Sequence, residues 1–150
     1  QVRVSVLRRN REVSIVLLGS PPPGPLEGVD IRRVQERLKD AEALMAAERW
    51  DDAVTAYRAI LADAPALTTV NLAIGRALRM KKDFAAAAAA YAAILAGDAG
   101  HQKALLELGR CHQESGDRTS ALATLEKLLA VDPGTPEAEE ARVLIEQLKK

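Results

Sequence analysis

The chain has 150 residues, of which 48% are apolar and only 3% aromatic, so alanine and leucine must fill most of any core. Its 21 basic and 21 acidic residues cancel, which argues against a nucleic-acid-binding protein, since such a protein needs a basic excess or stripe. One cysteine excludes an internal disulfide, and no apolar run approaches the roughly 20 residues of a membrane-spanning helix.

Two β-strands are the first predicted elements. Apolar and polar residues alternate over 2–8 and again over 13–18, with a turn at 9–12 between them. A period of two indicates strands. A two-stranded hairpin over residues 1–18 is marginal by itself. It therefore either packs on the helices that follow or ends a domain that precedes Gln1, and we favour the second.

The hairpin resembles the closing strands of a bacterial PDZ domain. Asn10 stands where that family usually has glycine, and an ordinary edge hairpin is the alternative interpretation. The carboxylate-binding loop and groove helix of a PDZ domain are absent, so the resemblance implies no PDZ ligand site. The residues that carry the resemblance are Val2, Val4 and Val6, followed by Val13, Ile15 and Leu17.

Residues 19–28 form a predicted linker rich in proline and glycine. Proline fixes φ and removes a hydrogen-bond donor, which favours an extended, semi-rigid spacer. Pro22 and Pro25 also fit the P-x-x-P pattern of an SH3 ligand. A spacer between two units is the simpler interpretation.

From residue 29 to residue 150 the apolar spacing becomes helical, and it recurs every 34 residues. Small residues recur where two helices must approach closely, and large apolar residues recur where gaps must be filled. The small set is Ala41, Gly75 and Gly109, then Ala43, Ala77 and Cys111, then Ala53, Ala87 and Ala121. The large set is Tyr57, Tyr91 and Leu125, then Ile60, Ile94 and Leu128. The predicted repeats are 34–67, 68–101 and 102–135, followed by a final helix over 136–149.

Several helix starts can be predicted from side chains that accept hydrogen bonds. Asp83 and Asp117 are placed to cap the second helices of the second and third repeats. Arg49 holds the equivalent place in the first repeat and cannot cap, so Asp51 is the predicted substitute. Thr135 precedes a proline and is predicted to cap the final helix.

The repeats resemble those of the tetratricopeptide repeat family, over about 115 residues of this chain. The resemblance implies an all-α, right-handed solenoid of three helix-turn-helix repeats with a C-terminal capping helix, preceded here by the β-hairpin. In that family the first helices line a concave groove that binds partner segments. Members that clamp a C-terminal carboxylate use lysine and asparagine, whereas Leu38, Leu72 and Leu106 stand where clamp lysines could lie. The clamp is therefore not expected.

The resemblance implies a groove with a leucine floor and a basic edge. Such a surface would suit an extended or helical segment with apolar anchors and acidic flanks. The alternative is that the arginines are solvated and pair with Glu107 or Glu114. The predicted binding residues are Leu72, Arg76, Arg79, Met80, Lys103, Leu106, Arg110 and Gln113, with Gln35, Leu38, Glu42, Met45 and Thr69 on the same face.

No catalytic residue, cofactor site or metal site is predicted. Cys111 and His112 are adjacent, but neighbours on a helix point about 100° apart and cannot form a nucleophile–base pair. Cys111 occupies a small inward position, so a buried structural cysteine is expected, and His112 is expected to be partly buried. Two histidines and one cysteine at these spacings fit no metal template.

The sequence therefore predicts a non-catalytic protein–protein interaction scaffold that binds a protein or peptide partner, without nucleic acid and without a membrane span. The alternative is a regulatory or oligomerisation appendage of a larger enzyme, such as a PDZ-containing serine protease of bacterial type. An enzyme within these residues is the least favoured class. The partner and the oligomeric state do not follow from the sequence.

Overall fold

A computed structural model describes residues 28–150. The hairpin predicted over 1–18 and the predicted linker, apart from Gly28, lie outside the described residues and stay predictions. The described part is all-α, as the sequence predicts, and none of its helices combines the length and apolarity needed to cross a membrane. Its seven helices are α1 (Ile31–Ala46), α2 (Trp50–Asp63), α3 (Val70–Met80), α4 (Phe84–Gly97), α5 (Gln102–Glu114), α6 (Arg118–Val131) and α7 (Pro136–Lys149).

The helices stack in chain order, each packed on the next. The pairs α1–α2, α3–α4 and α5–α6 are the helix pairs of a solenoid, and α7 follows as a final single helix. The first helices also meet across the repeats, because α3 contacts α5 and α5 contacts α7, whereas α2, α4 and α6 share no comparable contact in the described part. Helices are thus closer on the side of the first helices, which makes that side concave.

Three helices begin at the capping side chains that the sequence predicts. The carboxylate of Asp83 accepts from the backbone N–H of Ala86 at 3.2 Å, and that of Asp117 accepts from Ser120 at 3.0 Å. Hydrogen bonds from Ser120 hold the pKa of Asp117 below its usual range. Thr135 caps α7 in the same way, at 3.2 Å from the Ala138 nitrogen. Three of the four predicted caps are thus confirmed.

The start of α2 differs from the prediction. Arg49 makes no capping hydrogen bond, and Asp51 does not take over its role. Asp51 lies in the first turn of α2, where a negative charge favours the helix dipole, and its carboxylate pairs with Lys81 of the next repeat. The side chain of Asp51, which was expected to cap α2, therefore links the first repeat to the second instead.

Each turn between the first and second helix of a repeat needs one left-handed residue. Glu48, Lys82 and Gly116 have φ values of 58°, 71° and 88°, and they are spaced by the repeat length. The left-handed region costs a residue with a Cβ roughly 1–2 kcal/mol, whereas glycine enters it freely. Only the third turn has the favourable residue.

Gly116→Ala is accordingly expected to lower the free energy of unfolding by about 1 kcal/mol, because alanine pays for the left-handed φ. Lys82→Gly, at the equivalent turn, is expected to raise it by up to about 1 kcal/mol. Urea denaturation followed by circular dichroism measures both. Shifts of the same sign in the two variants would show that φ does not limit stability at these turns.

The core runs along the stack between the helix pairs. Gly75 and Gly109 are buried, as predicted, and each allows a large side chain of the following helix to approach. Tyr91 packs against Gly75, and Leu125 packs against Gly109. Burial, with the nearby charge of Glu107, raises the pKa of Tyr91 to about 12, so its ring stays neutral in the core.

Candidate functional site

The eight predicted binding residues lie on α3 and α5, and their exposure varies along the stack. Met80 is 47% exposed, Arg76 and Lys103 are exposed, and Leu72 is half-buried. Gln113 and Arg110 are half-buried as well, and Arg79 is mostly buried. The predicted strip is therefore not uniformly exposed, and its most closed positions are Arg79 on α3 and Leu106 on α5.

Leu106 does not form an exposed floor. Only 4% of it is exposed, and it belongs to the core cluster that α5 and α6 form with α7. The reason is the contact of α7 with α5, which covers the end of the groove. Leu72 holds the equivalent place on α3 and is half-buried, because α5 approaches α3 less closely than α7 approaches α5.

Two predicted basic-edge residues are engaged inside the protein. Arg79 of α3 donates to Glu107 at 3.3 Å and to Glu114, both on α5. Burial lowers the pKa of Arg79, but the charges of Glu107 and Glu114 outweigh burial and raise it. Arg110 donates to Glu107 at 3.4 Å and to Glu140 of α7. The alternative interpretation, pairing with Glu107 or Glu114, is correct for both arginines.

These contacts form one network that ties three helices together. It runs from Glu114 through Arg79, Glu107 and Arg110 to Glu140, and so crosses from α3 to α5 and from α5 to α7. Glu107 lies at its centre, is 5% exposed and is shared by two guanidinium groups. The network engages two of the four basic residues that the sequence suggested for the edge of the groove, Arg79 and Arg110.

The junction between α1 and α3 has the opposite chemistry. One repeat before Arg79, Glu107 and Glu114, the chain has Met45, Ala73 and Met80. Where α3 and α5 are joined by an ion-paired triad, α1 and α3 therefore carry apolar side chains at the equivalent positions. Met45 and Met80 are the two methionines of the chain.

Half-buried leucines extend this apolar surface. Leu38 of α1 and Leu72 of α3 are equivalent by the repeat and pack on the edge of the core. We call the set Leu38, Met45, Leu72, Ala73 and Met80 the α1–α3 apolar patch. Arg76 lies beside it on α3, is exposed and makes no ion pair with any described residue. The patch thus combines accessible apolar surface with one available cation.

A pocket of about 260 Å³ opens at the other end of the concave face. We call it the α5–α7 pocket. Its lining includes three carboxylates and two cations, together with one leucine and one proline. The lining residues are Lys103, Leu106, Glu107 and Arg110 of α5 with Pro136, Glu137 and Glu140 of α7.

Cys111 and His112 take no part in this face. Cys111 is buried, and its Sγ lies 3.2 Å from the backbone oxygen of Phe84. Burial raises the pKa of the thiol, which makes it a poor nucleophile. His112 is half-buried, as predicted. Among residues 28–150, no three histidine, cysteine, aspartate or glutamate side chains are grouped to hold a metal ion.

Comparison with known families supports the repeat assignment. Two models of the tetratricopeptide repeat match the chain, one over residues 38–104 and one over 78–145, and together they cover most of its length. Neither range includes the predicted hairpin, so the PDZ resemblance has no support from these matches. None of the curated proteins compared with the chain matches it.

Solved structures with the same fold share little sequence with this chain. PcrH from Pseudomonas aeruginosa is 17% identical, with a TM-score of 0.74, over 81% of this chain and 96% of PcrH. The type III secretion chaperone SycD of Yersinia enterocolitica, solved with a peptide of the translocator YopD, is 15% identical with a TM-score of 0.70, over 79% and 93% of the two chains. The TPR2B domain of yeast Sti1, solved as a complex with pHsp70, is 20% identical with a TM-score of 0.70, over 79% and 97%.

Proposed function

Since the chain belongs to the tetratricopeptide repeat family, we propose that it is a non-catalytic interaction module that binds a peptide segment of a partner protein on its concave face. Structures of the same fold, SycD with a YopD peptide and the Sti1 domain with pHsp70, support a peptide as the kind of ligand. The observation that carries the proposal for this chain is the α1–α3 apolar patch.

The patch is suited to receive apolar side chains. Met80 is nearly half exposed, and Leu38, Met45 and Leu72 are each partly accessible on α1 and α3. Methionine is flexible and polarisable, and it adapts to irregular partners better than branched side chains do. The proposed ligand therefore carries two apolar anchors that insert between α1 and α3, beside Arg76.

The expected affinity follows from the size of two anchors. Burying two leucine-sized side chains stabilises a complex by roughly 3–6 kcal/mol before the entropy lost by the bound peptide is subtracted. Ordering the peptide and losing its free motion remove part of this gain. Backbone hydrogen bonds and the charge of Arg76 add modest amounts, so a micromolar dissociation constant is expected rather than a nanomolar one.

Shortening the patch residues tests the proposal. We expect Leu72→Ala with Met80→Ala to weaken binding about tenfold or more, mainly through a faster off-rate, because each change removes apolar contact from the anchors. The probes are fluorescein-labelled 12-residue peptides with two leucines four residues apart and glutamine elsewhere. Surface plasmon resonance gives the two rate constants.

Val143→Ala is the matched control. Val143 is 52% exposed on α7 and is not part of the α1–α3 apolar patch, so its truncation removes exposed apolar area away from the patch and should leave the off-rate unchanged. Equal effects of the control and the patch variant would place the binding surface elsewhere. If neither variant weakens peptide binding, the α1–α3 apolar patch is not part of the binding site.

The alternative role, as an appendage of a larger PDZ-containing protease, rests on the hairpin at residues 1–18 and stays a prediction. No described residue favours it over peptide binding.

A further inference from the structure

We propose that the α5–α7 pocket is a subsite for a basic side chain of the bound peptide, a lysine or an arginine. The inference rests on the proposed function, because it concerns the same concave face and the same ligand. It reverses the acidic flank that the sequence suggested.

The charges that line the pocket carry the proposal. Glu107, Glu137 and Glu140 line the pocket together with Lys103 and Arg110. Glu107 also pairs with Arg79, which Glu114 holds as well, so four carboxylates share three cations. Arg110 is already engaged by Glu107 and Glu140. An incoming carboxylate could meet only Lys103 without displacing a partner of Arg110, and it would lie beside like charges. An incoming cation would meet Glu137, which makes no ion pair with a described residue, within an overall excess of one carboxylate.

The apolar lining suits the stem of a long basic side chain. Leu106 of α5 and Pro136 of α7 supply the apolar part of the lining, and Glu137 and Glu140 follow Pro136 on α7. Lysine and arginine bury their methylene stems on apolar surface while their charged ends stay near water or a counter-ion. The volume of about 260 Å³ accommodates one such side chain.

The distance between the two parts of the groove fixes the spacing in the ligand. The α1–α3 junction and the α5–α7 junction are two first-helix spacings apart, and taking each spacing as the 8–10 Å typical of packed helices gives about 16–20 Å. An extended peptide advances about 3.3 Å per residue. The basic residue should therefore lie about five or six residues from the nearest apolar anchor.

Three matched peptides test the subsite. Each carries the two leucine anchors, and the residue six positions away is lysine, glutamine or glutamate, with the series made in both chain directions. On the parent protein we expect lysine to bind about threefold more tightly than glutamine, and glutamate about threefold less tightly, in at least one direction. The ranking should weaken as salt is raised.

The matched variants locate the effect. Glu137→Gln with Glu140→Gln should abolish the preference for lysine, because the pocket loses its excess of carboxylates. Glu139→Gln is the control, since Glu139 lies in the same turn of α7 but pairs with exposed Arg142, and it should keep the preference. Circular dichroism confirms that all variants retain their helix content.

The outcomes separate the two proposals. Binding of all three peptides with equal affinity, or tightest binding of the glutamate peptide to the parent, would overturn the subsite and leave the apolar patch standing. A lysine preference that survives Glu137→Gln with Glu140→Gln would also overturn it. Failure of every peptide to bind would overturn the proposed function and this inference together.

Discussion

Gly109→Leu is expected to lower the free energy of unfolding by at least about 1–3 kcal/mol, because it overpacks a contact that has no spare volume. A Cβ built on Gly109 would lie 2.6 Å from Cδ2 and 2.8 Å from Cγ of Leu125. Leu125 is fully buried on α6 and cannot retreat. Helices α5 and α6 would have to separate, and thermal or urea denaturation measures the loss.

Gly97→Leu provides the control for this change. Gly97 also lies in a helix, but a Cβ there would meet no described atom within 4 Å. We expect its stability to stay within about 0.5 kcal/mol of the parent, as for ordinary surface substitutions. If the Gly109 variant unfolds at the same urea concentration as the Gly97 variant, then close packing of α5 on α6 at Gly109 does not limit the stability of the fold.

Glu107→Ala is expected to destabilise the protein by about 2–3 kcal/mol. Glu107 is the buried centre of the network, and its removal leaves the largely buried guanidinium of Arg79 with Glu114 alone. The desolvation of Arg79 would then be incompletely compensated. Denaturation at pH 7 in low salt measures the loss, and a change below about 0.5 kcal/mol would contradict the importance of the network.

A triple variant distinguishes loss of packing from loss of charge pairing. Arg79→Met, Glu107→Ala and Glu114→Met together copy the α1–α3 junction into the α3–α5 junction. Because well-packed apolar residues can replace a buried ion network without loss, we expect the triple variant to recover most of the stability lost by Glu107→Ala. A triple variant less stable than the single one would show that these two junctions are not interchangeable.

Most of the fold follows from the 34-residue repeat in the sequence. The repeat predicts the small residues at helix crossings, and Gly75 and Gly109 are found buried there. It also predicts the caps Asp83, Asp117 and Thr135. These features depend on backbone geometry that every repeat must reproduce, so a periodic pattern is enough to reveal them.

The chemistry of the groove was less predictable. The partners of Arg79 and Arg110 lie on neighbouring helices, and which acid each one selects depends on helix spacing rather than on periodicity. The burial of Leu106 depends on how closely α7 approaches α5. One signal was available in the sequence: the positions of Arg79, Glu107 and Glu114 are apolar one repeat earlier, at Met45, Ala73 and Met80.

Contacts between helices are distributed unevenly along the stack, and this determines which helices open most easily. Helix α5 touches α3, α4, α6 and α7, whereas α1 shares its main contacts in the described part with α2 alone. Segments with few neighbours open at the lowest free energy and exchange their amide protons fastest. The apolar patch is therefore built across a boundary between a loosely held helix and a firmly held one. A peptide seated there would act as an additional neighbour for α1, and part of its binding energy would appear as slower exchange in that helix.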